Sequence, residues 1–183
     1  MDKFNQRKKD VLSKLDKSSK GEWDLRILDI CNKLNSMANY YSTSSCSGRI
    51  IIMKNEAKKG PGLFEFVSHD LVEFDNFLGK INGLEGNLKF KQESVILHIA
   101  CRELSDAEYL LEKGLKAGFK KSGIISLGKN IVVELNLTDK LEFPLIENGD
   151  LLVDNIFLKK VIEKANSNLE KGWKKIKDLE GLI

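Results

Sequence analysis

Five hydroxyls, one thiol, one glycine and one guanidinium fall within eight residues, Ser42-Thr43-Ser44-Ser45-Cys46-Ser47-Gly48-Arg49, and the apolar run Ile50-Ile51-Ile52 follows at once. Hydroxyls this dense compete for backbone partners unless something else uses them. Read as a loop from Tyr40 to Arg49, the stretch is a polar cradle for an anionic or zwitterionic ligand. Its serines and backbone amides would hold the ligand, Gly48 would permit close backbone approach, and Arg49 would fork onto a carboxylate or phosphate. A solvated loop closed by local hydrogen bonds is the alternative. The two histidines, His69 and His98, each follow or lie within a strand-like segment beside a polar or thiol residue. A histidine there more often satisfies structure than moves a proton.

Around these residues the chain reads as alternating helices and strand pairs. Residues 1–15 form a basic amphipathic helix, and Ser19 with Glu22 makes a capping box for a helix ending near Asn39. The run from Ile50 to Lys54 is a buried strand, residues 55–62 a basic turn carrying Lys58 and Lys59, and residues 63–69 a second strand. A helix runs from Asp70 to Ile81. Residues 87–91 and 95–101 form the next strand pair, and Ser105 with Glu108 caps a helix that stops at Gly118, a position suited to a left-handed cap. The segments Ser122 to Leu127 and Ile131 to Leu137 form a hairpin across Gly128-Lys129-Asn130. An amphipathic helix occupies 154–178. Strands in adjacent pairs, instead of single strands alternating with helices, predict an α+β fold of repeated helix–strand–strand units with largely antiparallel sheet. With 183 residues, 42% of them hydrophobic, one domain is expected, with its core at 16–153.

The net charge is only +3, but its distribution is uneven. Residues 1–20 hold seven basic against three acidic side chains, and residues 159–177 hold seven lysines against two glutamates, which suits a phosphate-rich partner. Three cysteines without a pairing pattern argue against a disulfide framework and against a zinc finger, and no histidine pair has metal-ligand spacing, so no metal is expected. No apolar signal core or membrane-length run occurs, so the protein is expected in the cytoplasm, away from membranes. No strand leads into a glycine-rich nucleotide turn, which argues against a Rossmann fold.

Several motifs, in order and at these separations, resemble the third wybutosine-synthesising protein family. They are Asp16-Lys17-Ser18-Ser19-Lys20-Gly21, the Ser42-to-Arg49 stretch, Val67-Ser68-His69-Asp70, Leu97-His98-Ile99-Ala100-Cys101, Gly118-Phe119-Lys120-Lys121-Ser122-Gly123-Ile124, Pro144-Leu145 and Ala165-Asn166. The resemblance spans roughly residues 3 to 170, and the lysine content points to an archaeal or other microbial member. It departs at Leu63-Phe64, where relatives tend to have tryptophan, and at Glu93-Ser94, where many have Glu-Pro. What it implies is N-methylation, dependent on S-adenosylmethionine, of the tricyclic base next to the anticodon of phenylalanine transfer RNA, on a fold unlike the usual methyltransferase. It implies Ser45, Cys46, Arg49 and His69 at the reacting centre, and Ser42, Ser44, Gly48, His98, Ser122 and Gly123 around the cofactor. Asp16 and Lys20 fall to the RNA side, where Lys58 and Lys59 would add charge and Tyr41, like Tyr40 and Phe119, is a candidate to stack on a base. Methyl transfer from a sulfonium is a direct displacement, so Cys46 need not be a nucleophile. Two other classes compete: a transfer-RNA-binding scaffold without chemistry, and a hydrolase with Cys46 activated by His69 or His98.

Overall fold

The computed structural model describes residues 2–13, 24–55 and 62–183. In chain order the elements are α1 (Lys3–Leu12), one 3-10 turn (Leu25–Ile27), α2 (Leu28–Ser36), β1 (Tyr40–Cys46), β2 (Arg49–Lys54), β3 (Phe64–Ser68), α3 (Phe74–Ile81), β4 (Leu88–Glu93) and β5 (Ile96–Cys101). Then come α4 (Leu104–Lys116), β6 (Gly123–Leu127), β7 (Ile131–Asn136), β8 (Leu141–Glu147), β9 (Asp150–Leu151) and α5 (Asn155–Leu182). They form two compact units: one from the chain up to Ser47 with Val95–Thr138 and Gly172–Ile183, the other from Gly48–Ser94 and Asp139–Lys171.

The first unit holds a four-stranded antiparallel sheet in the order β1-β5-β7-β6. Side chains alternate across a strand, and one face carries Tyr40, Leu97, Ile99, Cys101, Val133 and Leu135. These pack with Ile30, Cys31 and Leu34 of α2, Ala107 and Leu110 of α4, and Ile176 and Leu179 of α5. At the C-terminus of α4, Gly118 (φ 95°) donates to the Leu115 carbonyl at 3.0 Å and Phe119 to the Gly114 carbonyl at 2.9 Å. That is a Schellman motif, and only glycine takes its left-handed position cheaply. The opposite face of the sheet is covered at one end by α1, where the Phe4 ring lies 5.1 Å from that of Tyr41. Arg102 staples α1 down: it donates to Asp2 Oδ2 and Asn5 Oδ1, both at 2.6 Å, and to the Ala38 carbonyl at 3.1 Å.

The second unit holds a five-stranded antiparallel sheet, β3-β2-β4-β8-β9. One row across it reads Phe66, Ile52, Phe90, Phe143. Phe77 of α3 meets Phe66 and Phe90 edge-on at 5.5 and 5.9 Å, and Phe157 of α5 does the same to Phe143 at 5.6 Å. Asn166 of α5 clips the chain ahead of α3, accepting from Val72 N and donating to its carbonyl, both at 2.9 Å.

The α+β class, the antiparallel sheets and the absence of a Rossmann arrangement agree with the sequence reading. Four local readings change. Residues 40–46 are a strand, not a loop, because β5 supplies the ladder that their hydroxyls would otherwise compete for. Residues 87–91 and 95–101 do not pair with each other: β4 joins β2 and β8 while β5 joins β1 and β7. A two-residue hairpin needs positive φ, which Ser94-Val95 does not adopt, whereas Asn148 (φ 54°) and Gly149 (φ 89°) do, and close β8 onto β9. The helix after β5 starts one residue ahead of Ser105, with Glu103 N donating to Asp106 Oδ2 at 3.0 Å. Residues 70–73 precede α3 instead of opening it. The capping box at Ser19 and Glu22 lies outside the described residues.

Candidate functional site

The ladder between β1 and β5 decides which hydroxyls face what. Ser42 stands opposite Ile99 and Ser44 opposite His98, with Thr43 bulged out between them. Without the bulge Ser42 and Ser44 would share a face; the extra residue re-aims the strand. Ser42 therefore turns to the core face, where α2 holds it: its N–H donates to Asn35 Oδ1 at 2.7 Å, and Asn35 Nδ2 donates to its hydroxyl at 3.0 Å. Ser45, opposite Leu97, turns the same way, and among the described residues its buried hydroxyl makes no well-formed hydrogen bond. Beside it burial pushes the Cys31 thiol up, against the opposing influence of the Ser45 and Ser42 hydroxyls. Burial also pushes Cys101 up to about 12, with Asp106 adding to it.

Ser44 and Cys46 occupy the other face. Ser44 begins a row that runs through His98 and Glu134 to Gly123, crossing all four strands, and Cys46 begins the next, through Ile96 to Asn136. Within the first row His98 Nε2 lies 2.8 Å from Glu134 Oε2, both side chains about a quarter exposed. Apart from its chain neighbours, no described residue has an atom within 4 Å of the position a Cβ would take on Gly123. The result is an open patch of sheet bearing a hydroxyl, a thiol, an imidazole–carboxylate pair and a strip of bare backbone. Ser122, next to Gly123, is spent on structure: its hydroxyl donates to the Phe119 carbonyl at 2.7 Å and accepts from Asn136 N at 3.2 Å.

The end of β1 is fixed by a clamp that the sequence did not suggest. Ser47 is fully buried; its N–H donates to Asp24 Oδ2 at 2.6 Å and its carbonyl accepts from Trp173 Nε1 at 3.1 Å. The Arg26 guanidinium sits 3.6 Å over the Trp173 ring, and Arg26 N is itself capped by Asp24 Oδ1 at 3.2 Å. Both backbone groups of Ser47 are thus held by side chains from distant segments, which leaves Cys46 on a rigid strand end.

The remaining expected residues that the structure describes are each taken up by packing, an ion pair or a hydrogen bond. Gly48, in the second unit, has φ 93°, and a Cβ there would lie 2.9 Å from Leu169 Cδ2 and 3.0 Å from the Glu93 carbonyl oxygen, so its glycine is required by packing. Arg49 stands opposite Glu93 on β4 and donates from Nε to Glu93 Oε2 at 2.6 Å, with its guanidinium 5.4 Å over the Phe64 ring. His69 donates from Nδ1 to the Gly48 carbonyl at 3.1 Å. Tyr41 is 1% exposed beneath Phe4, and Tyr40 and Phe119 are buried too, so none of the three presents a ring to a base. Asp16, Lys20, Lys58 and Lys59 lie outside the described residues. Among the described residues no helix is long and apolar enough to cross a membrane.

The family model described as Methyltransferase TYW3 matches residues 6–183. This chain belongs to that family. A relative from Methanocaldococcus jannaschii, named tRNA(Phe) 7-((3-amino-3-carboxypropyl)-4-demethylwyosine(37)-N(4))-methyltransferase, is 37% identical over 81% of this chain and 79% of its own. A Xenopus laevis relative named tRNA wybutosine-synthesizing protein 3 homolog is 33% identical over 94% of this chain and 71% of its own. A solved structure of a Pyrococcus horikoshii protein superposes with a TM-score of 0.87 at 35% identity, covering 97% of this chain and 92% of that one. Family membership makes the chain a methyltransferase and implies a methyl donor. It therefore also sets aside the hydrolase reading of Cys46.

In this member of the family the residues that sequence reasoning missed are Glu134, Asp24, Trp173 and Asn35. Glu134 left a faint signal, the one charged residue inside the apolar run Ile131 to Leu137. The others left none: Asp24 and Trp173 act on the backbone of Ser47 from distant segments, and Asn35 holds Ser42 across the turn between α2 and β1.

Proposed function

We propose that this chain transfers a methyl group from S-adenosylmethionine to a ring nitrogen of the tricyclic wyosine-type base beside the anticodon of phenylalanine transfer RNA, in the cytoplasm. What supports a site on the open sheet face is the row Ser44–His98–Glu134–Gly123. Three of its four members are residues expected around the cofactor, although they come from three separate motifs. The donor set fits that cofactor chemically. The Glu134 oxygen that His98 does not use suits a ribose diol or an ammonium group, a hydroxyl suits polar ends of either sign, and the bare backbone at Gly123 admits a flat base without a side chain in the way. When bound, the cofactor supplies an electrophilic methyl group on a sulfonium.

The chain's own contribution is alignment. Reacting atoms must be held about 3–3.5 Å apart, which requires a strand end that does not move, and the Asp24–Ser47–Trp173 clamp provides it. Lys120 and Lys121, both exposed, precede Ser122 and Gly123 at the edge of the patch and offer positive charge to RNA phosphates. Ser45, placed on the core face, is assigned to positioning β1. Arg49 is assigned to holding an anionic group through the nitrogens that Glu93 does not use, and His69 to bracing the Gly48 carbonyl.

The test is calorimetric titration with S-adenosylmethionine together with methyl transfer to transfer RNA carrying the demethylated base. Cofactor binding and transfer, both weakened by Ser44→Ala, are the expected result. Transfer-RNA binding without cofactor binding would make the protein a scaffold.

A further inference from the structure

Methylation of a ring nitrogen that carries hydrogen releases a proton, and the proton must go somewhere. We propose that His98 accepts it at Nδ1, and that Glu134 is the positioning residue that makes this possible. The proposal rests on the cofactor site assigned above to the outer face of the first sheet.

His98 faces away from the core: its strand neighbours Leu97 and Ile99 are fully buried among apolar side chains, and His98 is not. Its Nε2 lies 2.8 Å from Glu134 Oε2. A carboxylate can only accept, so Nε2 bears the hydrogen and the neutral ring keeps its lone pair on Nδ1. Nδ1 makes no hydrogen bond among the described residues. The ring cannot slide along the strand, because Thr43 Oγ1 donates to the His98 carbonyl at 3.2 Å and the ladders on both sides fix its backbone. A base oriented by a carboxylate through its second nitrogen is the arrangement that proton abstraction requires.

The other groups on the patch serve less well. Glu134 is occupied by the imidazole hydrogen, Ser44 is not basic, and Cys46 stands one row further along. In the balanced step the nitrogen–carbon bond forms as the sulfur–carbon bond breaks, the sulfonium leaves as a neutral thioether, and the nitrogen's proton passes to His98 Nδ1.

Two measurements test this. Ring 15N shifts of His98 in the protein without cofactor should report hydrogen on Nε2, and Glu134→Ala should abolish that bias. A parent protein with hydrogen on Nδ1 would overturn the proposal with no reference to activity. In single-turnover assays at saturating S-adenosylmethionine His98→Ala should lose about 10²- to 10⁴-fold in methyl transfer, at least tenfold more than any loss in S-adenosylmethionine affinity, with partial rescue by added imidazole. His98→Gln, which keeps volume and polarity, should be as slow, without needing the site to refold around a void. Transfer within threefold of the parent in either variant overturns the proposal, as does a loss explained entirely by cofactor affinity. A parent that neither binds nor uses S-adenosylmethionine overturns the cofactor site itself, and this inference with it.

Discussion

Two glycines that look alike in the sequence should behave oppositely when a single methyl group is added to each. Gly48 has φ 93°, a conformation that costs an L-residue about 1–2 kcal/mol. Its new Cβ would also lie 2.9 Å from Leu169 Cδ2, which is buried and can yield only a little, and 3.0 Å from the Glu93 carbonyl oxygen, which belongs to a paired strand. Overpacking of this kind adds about 1–3 kcal/mol. Gly48→Ala should therefore destabilise by about 3 kcal/mol, lowering the melting temperature by roughly 6–12 °C for a chain of this length. Gly123 is not in the left-handed region and a Cβ there meets nothing within 4 Å, so Gly123→Ala should be neutral or stabilising by up to about 1 kcal/mol. If the cofactor lies on that backbone, however, Gly123→Ala should weaken S-adenosylmethionine binding at least tenfold. Thermal melting and calorimetry on the two variants decide the matter. A Gly48→Ala protein that melts within 2 °C of the parent refutes the packing argument, and a Gly123→Ala protein that binds cofactor within twofold refutes the placement of the site.

Trp173→Phe keeps a ring beneath Arg26 but removes the donor to the buried Ser47 carbonyl; it should cost about 1–3 kcal/mol in denaturant titrations, and no change would mean that the clamp is idle. The backbone hydrogen bond from Asn5, with Arg102 beside it, holds the Asp2 carboxyl below its ordinary value of 3.8. Its stabilisation of α1 is therefore present above that value and lost as pH falls through the depressed one; amide exchange in α1 should accelerate on acidification below about pH 4, and Asp2→Asn should exchange fast at every pH. Arg49→Lys keeps the charge but loses the fork. Because its ion pair with Glu93 is about a third exposed, stability should change by no more than about 1 kcal/mol while methyl transfer falls at least tenfold; transfer within twofold of the parent makes Arg49 structural. An alkylating reagent should label Cys46 before Cys31 and Cys101, which are buried with raised thiols; mass spectrometry showing Cys31 or Cys101 modified first contradicts the assignment of faces on β1.

What the sequence by itself determined is the set of elements and the residue types available for chemistry. The hairpin at Gly128-Lys129-Asn130, the glycine stop at Gly118, the long terminal helix and the α+β class all follow from local signals: turn residues, capping chemistry and the period of apolar side chains. The ordered motifs from Asp16 to Asn166 carried the family as well. Beyond the neighbouring pairs, β2 with β3 and β6 with β7, pairing was not legible there, because a strand's other partners are chosen by contacts distant in the chain. Nothing local says that β4 and β5, two residues apart, join different sheets, or that Tyr40–Cys46 is a strand at all. The site depends on pairing twice over. A one-residue bulge at Thr43 turns Ser42 and Ser45 to the core and leaves Ser44 and Cys46 on the open face, and a period of two offers no way to foresee such a shift. Only when β7 lies beside β5 does Glu134 reach His98, and only when α5 returns to the first unit does Trp173 reach Ser47. Residue types are written locally, but which of them meet is decided by the sheet register that the whole core enforces.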